Sequence, residues 1–275
     1  MKGHKLVEKY DKYNELSQYW TDGKTVYYCQ YEIKNADIDT FEQFAGAWAK
    51  DERHCYSGST RLKDADAKTF EALNFTYAKD KSNVWTLRGR IAEADAETFV
   101  ACDNGRNSLG INMTRLQDGT VKFYESFVPY GFGKDKNKVY YYDFDGKPNI
   151  VKKAMTNSFV SMNDGDHFGY DEASVFYGRS CLSGANPKTW KKLSDDYYYS
   201  RDRNKIFYFN HLIKDADAET FEVVVTPCPL GTPIQLAKDK NNYYWNANII
   251  SKEKFDEEVK DTMDFAKSFN EEYGR

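Results

Sequence analysis

Tyr77-Ala78-Lys79-Asp80-Lys81-Ser82-Asn83-Val84-Trp85 decides the fold, because its pattern returns six more times along the 275-residue chain. Its aspartate corresponds to Asp22, Asp51, Asp135, Asp171, Asp202 and Asp239. Three residues earlier stands Tyr19, Trp48, Tyr77, Phe132, Phe168, Tyr199 or Leu236. Five residues later stands Tyr27, Tyr56, Trp85, Tyr140, Phe176, Phe207 or Tyr244, aromatic in every copy. A third ring follows as Phe41, Phe70, Phe99, Trp190 or Phe221, with Phe159 and Phe255 displaced in the other two copies. Self-similarity of this kind marks a repeat architecture, in which a small unit buries its apolar face only against its neighbours.

Each copy has a mechanical reading. A short extended segment (Tyr77-Ala78-Lys79) leads into Asp80-Lys81-Ser82-Asn83, where an aspartate side chain can bond backbone two residues on. A β-rich run follows, such as Val139-Tyr140-Tyr141 or Ile206-Phe207-Tyr208, which closes a hairpin. A third strand ends in an aliphatic column of Ile33, Leu62, Ile91, Val151, Leu182 and Ile213, weakest at Ala247. The next column, Asp37, Asp66, Asp95, Met155, Asn186, Asp217 and Ser251, supplies six good helix N-caps. An alanine before the cap and an aromatic four residues after it resemble a hydrophobic staple. Phe44, Leu73, Cys102, Met162, Leu193 and Val224 then continue an apolar stripe. The unit predicted is strand–turn–strand–strand–short helix.

The fold class expected is therefore mainly β with short helices (α+β), its tandem units stacked as an open, solenoid-like array. A β-propeller is the alternative; its blades need about 40–45 residues for four strands, longer than most intervals here. Residues 1–18 read as an N-terminal capping segment, in which Leu6 to Trp20 is amphipathic, and residues 19–250 as seven tandem repeats. Residues 251–275 read as a C-terminal capping helix begun by Ser251, with Phe255, Val259, Met263, Ala266, Phe265 and Phe269 at helical spacing.

The strings Asp135-Lys136-Asn137-Lys138-Val139-Tyr140-Tyr141 and Asp239-Lys240-Asn241-Asn242-Tyr243-Tyr244 resemble the signature of the DKNYY repeat family of bacterial proteins. Lys63-Asp64-Ala65-Asp66-Ala67-Lys68-Thr69-Phe70 and its copies are similar to that family's linker. The resemblance spans about residues 19–259. Copies one, two and five depart from it at Asp22-Gly23-Lys24-Thr25, Asp51-Glu52-Arg53-His54 and Asp171-Glu172-Ala173-Ser174. It implies a bacterial source and a binding role, and it brings no catalytic residues with it.

Composition narrows the function classes. Lys and Arg number 39 against 43 Asp and Glu, interspersed, which lacks the basic footprint of a nucleic-acid binder. No apolar run reaches the roughly 18 residues of a membrane helix. The start, Met1 to Leu16, has no apolar leader segment. Five cysteines (Cys29, Cys55, Cys102, Cys181, Cys228) form no CxxC and read as reduced thiols of a cytoplasmic protein. Leu, Ile, Val and Phe make just under one fifth of the chain, but 22 Tyr and 5 Trp supply the missing apolar area.

Insertions in a repeat array loop out on one face and are better functional pointers than the consensus. Residues 101–131 widen one interval to 55 residues, from Asp80 to Asp135. Met113–Gln117, Asp118-Gly119 and Thr120–Tyr124 read there as an extra hairpin. Its Arg106, Arg115, Lys122, Phe123, Tyr124, Phe127 and Tyr130 have the composition of interface hot spots and are the candidate partner-binding residues. A proline-rich stretch, Thr226 to Pro233, and a lengthened loop over residues 142–149 are the other two breaks. The column six after the aspartate (Tyr28, Tyr141, Tyr177, Tyr208 and Trp245) alternates away from the ring column. Either it is an exposed platform for sugars or proteins, or the next repeat's helix covers it.

Catalytic and metal chemistry find no support. Calcium loops need five or more oxygen ligands, and a lysine or arginine follows the repeated aspartate in four copies. His4, His54, His167 and His211 are dispersed, and no HExxH, GxSxG, GxxxxGK[ST] or GxGxxG occurs. Cys55 beside His54 reads as a buried small hydrophobe. No cofactor and no metal is expected. The expected function is a non-enzymatic scaffold that binds another protein, such as an immunity protein neutralising a bacterial toxin. A carbohydrate- or envelope-binding module using the tyrosine column is the alternative.

Overall fold

The computed structural model describes residues 1–8, 18–144, 146, 149–162, 167–195, 198–231 and 233–274. The chain divides into two compact units, Met1–Ser108 with Phe127–Gly169 and Leu109–Ser126 with Tyr170–Arg275. It is mainly β, built of small antiparallel sheets, and among the described residues every sheet is open. In copy three, Tyr77–Lys79 pairs with Val84–Thr86, which pairs with Gly89–Arg90. A fourth strand comes from the end of the preceding copy: Glu71–Ala72 pairs antiparallel with Tyr77–Lys79. The same borrowed strand is Glu42–Gln43 in copy two, Val100–Ala101 in copy four, Trp190–Lys192 in copy six and Glu222–Val223 in copy seven. Strands of only two to four residues in these sheets fit four to a repeat, so strand count does not separate a stack from a propeller.

The short helix expected in copies one to six is absent among the described residues; in copy seven the Ser251 cap begins the long C-terminal helix. The caps work as expected, for Asp66 Oδ1 accepts Lys68 N–H at 3.1 Å and Asp95 Oδ1 accepts Thr98 N–H at 3.0 Å. One turn forms, closed by Thr69 N–H to Asp66 O at 3.1 Å or Trp190 N–H to Asn186 O at 2.9 Å. It then stops, because the residues just beyond the aromatic are claimed by the next copy's sheet. A single turn has no length over which to recover its nucleation cost. The apolar stripe from Phe44 to Val224 accordingly lies beyond a borrowed strand, not on a helix.

The repeated aspartate is a clamp between copies. In copy three Asp80 Oδ1 accepts the N–H groups of Ser82 and Asn83, both at 2.7 Å, which shapes the turn. Its Oδ2 accepts the N–H of Asp66, the cap of the preceding copy, at 2.8 Å. The same link joins Asp51 to Asp37, Asp135 to Asp95, Asp202 to Asn186 and Asp239 to Asp217, at 2.8–3.1 Å. Where a tyrosine stands five residues on, its hydroxyl also donates to this carboxylate, as Tyr56 does to Asp51 at 2.7 Å and Tyr140 to Asp135 at 2.9 Å. The lysine after the aspartate reaches the preceding cap's carboxylate: Lys81–Asp66 and Lys136–Asp95 at 2.9 Å, Lys240–Asp217 at 2.8 Å. The lysine that argued against calcium thus has a structural partner.

Rings form the core around these clamps. Phe70 lies 6.3 Å from Trp48 of its own copy and 6.2 Å from Trp85 of the next, between ring centroids. Phe99 repeats this between Tyr77 (5.3 Å) and Tyr140 (5.8 Å), and Phe221 between Tyr199 and Tyr244 (both 5.4 Å). The ring needs a small neighbour. A Cβ added to Gly133 would come within 2.5 Å of the Phe99 ring, and one on Gly169 within 2.5 Å of Phe159. Ala49, Ala78 and Ala237 hold the equivalent place and are fully buried. An aromatic buries roughly 150–250 Å² at about 25 cal/mol per Å², so rings rather than the sparse aliphatics dominate this core.

The C-terminal helix runs Lys252–Tyr273, capped by Ser251, which accepts Lys254 N–H at 3.2 Å, and ended by Gly274 at φ 66°. Phe255, Ala266 and Phe269 are its buried residues, while Met263 and Phe265 are about half exposed, contrary to expectation. At 100° per residue Met263 is turned off the Phe255–Ala266–Phe269 stripe. At the other end, the expected N-terminal cap falls largely outside the described residues. Of its described part, His4 bridges Gln43 and Val7 bridges Trp20.

Candidate functional site: a cleft where the repeat is interrupted

The insertion forms the expected hairpin, longer than its sequence suggested, with strands Arg106–Arg115 and Val121–Pro129. Its tip turns at Asp118-Gly119, where Gly119 adopts φ 85° and Asp118 Oδ1 accepts Thr120 N–H at 2.9 Å. The hairpin base, Arg106–Ser108 and Phe127–Pro129, belongs to the first unit, and the remainder to the second.

Most of the hairpin's candidate residues are engaged within the chain. The Arg106 guanidinium sits 4.2 Å from the Phe127 ring centroid and 5.2 Å from that of Phe75. Tyr130 meets the His167 ring edge-on at 4.9 Å. Phe123 packs against Phe269 (5.8 Å) and Tyr273 (5.6 Å) of the C-terminal helix. Arg115 reaches Glu272 at 3.8 Å, an exposed pair of little energetic weight. Lys122 is exposed and Tyr124 half-buried. The structure thus puts the aromatic side of this hairpin onto its own chain.

In the column of alternate aromatics Tyr141 is buried, and Tyr28, Tyr177, Tyr208 and Trp245 are half-buried. Tyr141 lies 4.7 Å from the Phe132 ring, with its hydroxyl on His167 Nδ1. Tyr208 is half-buried between Tyr199 (5.0 Å) and Phe209 (4.3 Å), its hydroxyl on Asn246 Oδ1 of the next copy at 3.1 Å. Burial pushes that phenol up to about 12. Tyr28 packs on Tyr19 at 4.9 Å, Tyr177 on Phe209 at 4.9 Å, and Trp245 lies under the Lys254 ammonium at 5.8 Å. Among the described residues the next repeat's helix expected to cover this column is not there; at Tyr208 the next copy makes contact instead through Asn246, in a turn.

Burial pushes the thiols of Cys55 and Cys102 up to about 12, away from nucleophilic character. His54, next to Cys55 in sequence, lies instead 3.7 Å from Asp51 and edge-on to Tyr56.

The second unit contains an apolar cleft of about 490 Å³. One wall is the insertion strand, through Leu109 and Ile111; another is the proline-rich loop, through Pro227, Pro229, Leu230 and Ile234. The third wall is the C-terminal helix, through Asp261, Thr262 and Phe265. Ile111 N–H donates to Leu230 O at 2.7 Å, which fixes the first wall to the second. Phe123 on Phe269 and Tyr273 fixes the hairpin to the third. Leu109 is 55% and Phe265 49% exposed, so the rim is open and apolar. Volume and lining lie within the range of ligand and anchor pockets, about 300–1,000 Å³ and mostly hydrophobic. The third break in the repeat falls at residues 142–149, of which 145, 147 and 148 lie outside the described residues.

Among known proteins, the DKNYY family matches residues 48–211 and again 199–273. The chain belongs to the DKNYY family. No curated protein and no solved structure matches it. In this DKNYY protein the family signature is explained by the clamp, with Asp and Lys both reaching back to the preceding cap. Sequence reasoning missed the cleft, whose first wall, Leu109 and Ile111, lies more than 100 residues before the other two in the chain. Among the described residues no helix is long and apolar enough to cross a membrane.

Proposed function

We propose that this DKNYY protein is a non-enzymatic repeat scaffold that binds another protein at the Leu109–Leu230–Phe265 cleft. The observation that carries the reading is convergence. The insertion and the proline-rich loop, two departures from the repeat, meet the terminal helix around one open apolar hollow. Exposed large apolar side chains gathered at one place are a common mark of an interaction site. The copies themselves are read as an open, solenoid-like stack, supported by clamps that each link one copy to its immediate neighbour. For the sugar-binding alternative, the tyrosine column offers half-buried rings at Tyr28, Tyr177, Tyr208 and Trp245, with Tyr141 buried.

The test is affinity capture from the source cell with wild type and with Leu109→Glu plus Phe265→Glu. A stable partner retained by wild type and lost by the variant, with unchanged melting, supports the reading. A partner that binds both equally removes the cleft from it. If the captured partner is a toxin, co-expression should neutralise it, and the variant should fail to protect.

A further inference from the structure

Residues 1–8 show what the outer edges of these small sheets can hold. Val7 O accepts the Thr21 N–H of copy one at 2.9 Å. Three residues earlier His4 forms an antiparallel pair with Gln43, on the strand lent to copy two. His4 N–H donates to Gln43 O at 2.7 Å, and Gln43 N–H donates to His4 O at 2.9 Å. Ala72 O, at the same place in copy three, accepts Met1 N at 2.7 Å. The register explains why these residues are available. Backbone groups along an antiparallel strand face inward and outward by turns. Phe44 N–H donates inward to Trp48 O at 2.9 Å, so its neighbour Gln43 points out. Such an edge is a template for another extended segment, and at copy two the chain supplies its own.

Copy seven repeats that edge. Val224 N–H donates inward to Leu236 O at 3.0 Å, so Val223 stands where Gln43 does and turns its own N–H and C=O outward. Glu222 pairs with Lys238 at 3.6 Å, as Glu42 pairs with Lys50 at 3.9 Å. Among the described residues Glu222–Val223 is the outermost strand of its sheet, with no segment bonded to its far side. Val223-Val224-Val225 is a β-branched run suited to extended pairing, and Val225 is 71% exposed.

We infer that the Glu222–Val225 edge, whose residues do not line the cleft, is a second interaction surface, which takes an extended segment of a partner protein by antiparallel strand addition. One residue of that segment exchanges both N–H···O bonds with Val223, as His4 does with Gln43. The residue before it is small: a Cβ added to Gly3 would run into the side chain of Glu42, the counterpart of Glu222. The residue two before it lies opposite Val225 and is apolar. The chain's own segment is already seated at copy two, so a second copy's segment would give up equal bonds to move here, whereas a partner's segment gives up none.

The experiment uses the full chain, isotopically labelled at its valine amides, and an acetylated peptide of residues 1–8 carrying Lys2→Val. The peptide is titrated to millimolar concentration and the valine resonances are followed. Saturable shifts are expected at Val223, Val224 and Val225, with the buried Val139 and Val175 unmoved. Methylating the backbone nitrogen of the peptide's histidine removes the donor to Val223 and should weaken binding about tenfold. Val223→Pro removes only an outward N–H, which an edge strand tolerates, and should weaken it by a similar factor with melting unchanged. If that variant folds poorly, the methylated peptide still decides the question. Unmoved Val223–Val225 resonances, or equal binding of the methylated peptide, would overturn the inference. Shifts centred on Val7 would overturn it by showing that the peptide displaces the chain's own segment instead. Dimerisation of wild type that is lost in Val223→Pro would do so by making a second copy the occupant. Leu109→Glu with Phe265→Glu should bind the peptide as wild type does; loss of binding there would place the peptide in the cleft and overturn the separate edge.

Discussion

One carboxylate, that of Asp80, belongs to two copies of the repeat: it accepts the Asp66 N–H at 2.8 Å while shaping its own turn through Ser82 and Asn83 at 2.7 Å. The relationship recurs along the chain, so coupling between neighbours is built into the same residue that starts each hairpin. A nearly buried carboxylate that satisfies three backbone donors is costly to remove, because its partners are left unpaired.

Asp80→Ala is therefore expected to lower stability by about 2–4 kcal/mol, read from urea unfolding. Asp22→Ala should cost far less, because Asp22 is exposed and, among the described residues, bonds only its own copy's Lys24, Thr25 and Tyr27. Equal losses at the two positions would show that the link to the preceding copy contributes nothing.

Acid should act through the caps. Thr98 and Lys136 hold the Asp95 carboxyl down at about 2, and Lys240 and Thr220 do the same for Asp217. Because the folded values lie below the ordinary aspartate value near 3.9, the unfolded chain binds more protons between them. The stability these groups add is present above about pH 4 and is lost as pH falls towards about 2. Asp95→Asn with Asp217→Asn should flatten the melting-temperature profile in that window; an unchanged slope would place the acid sensitivity elsewhere.

Tyr141 should behave as core and Tyr208 less so. Tyr141→Ala, at a side chain only 4% exposed, is expected to cost about 3–5 kcal/mol, as large-to-small core changes do. Tyr208→Ala should lower the melting temperature less, since its ring is half-buried. A Tyr141→Ala protein that melts like wild type would mean that the ring is a free surface after all.

The insertion is more than an ornament on the repeats. Deleting residues 104–127 would strip Phe123 from Phe269 and Tyr273, and Ile111 from Leu230. Hydrogen exchange should then show faster exchange along the second half of the C-terminal helix, with copies one and two unchanged. Unaltered protection of the helix would show that the hairpin does not support it.

The repeat register, the turn aspartate, the extra hairpin and the Ser251-capped helix were all legible in the sequence, because each depends on local chemistry at fixed spacing. The one-turn caps were misread as helices for a physical reason: an N-cap specifies where a helix begins, while its length is set by what claims the next residues, here the borrowed strand. Strand alternation placed Tyr141 and Tyr208 on one face correctly but says nothing of what packs there. The small column at Ala49, Ala78, Gly133, Gly169, Ser200 and Ala237 was available at a fixed two residues before the aspartate and explains where each ring lodges. The cleft was out of reach, since Leu109, Leu230 and Phe265 share no periodicity.

The measurement that bears most directly on the functional claim is hydrogen exchange of the full chain with and without its captured partner. Protection on binding is expected at Leu109–Met113, at residues 227–234 and at Asp261–Phe265, with the hairpin turns of the repeats unchanged. Protection confined to those turns, with the three cleft walls exchanging as in the free protein, would contradict it.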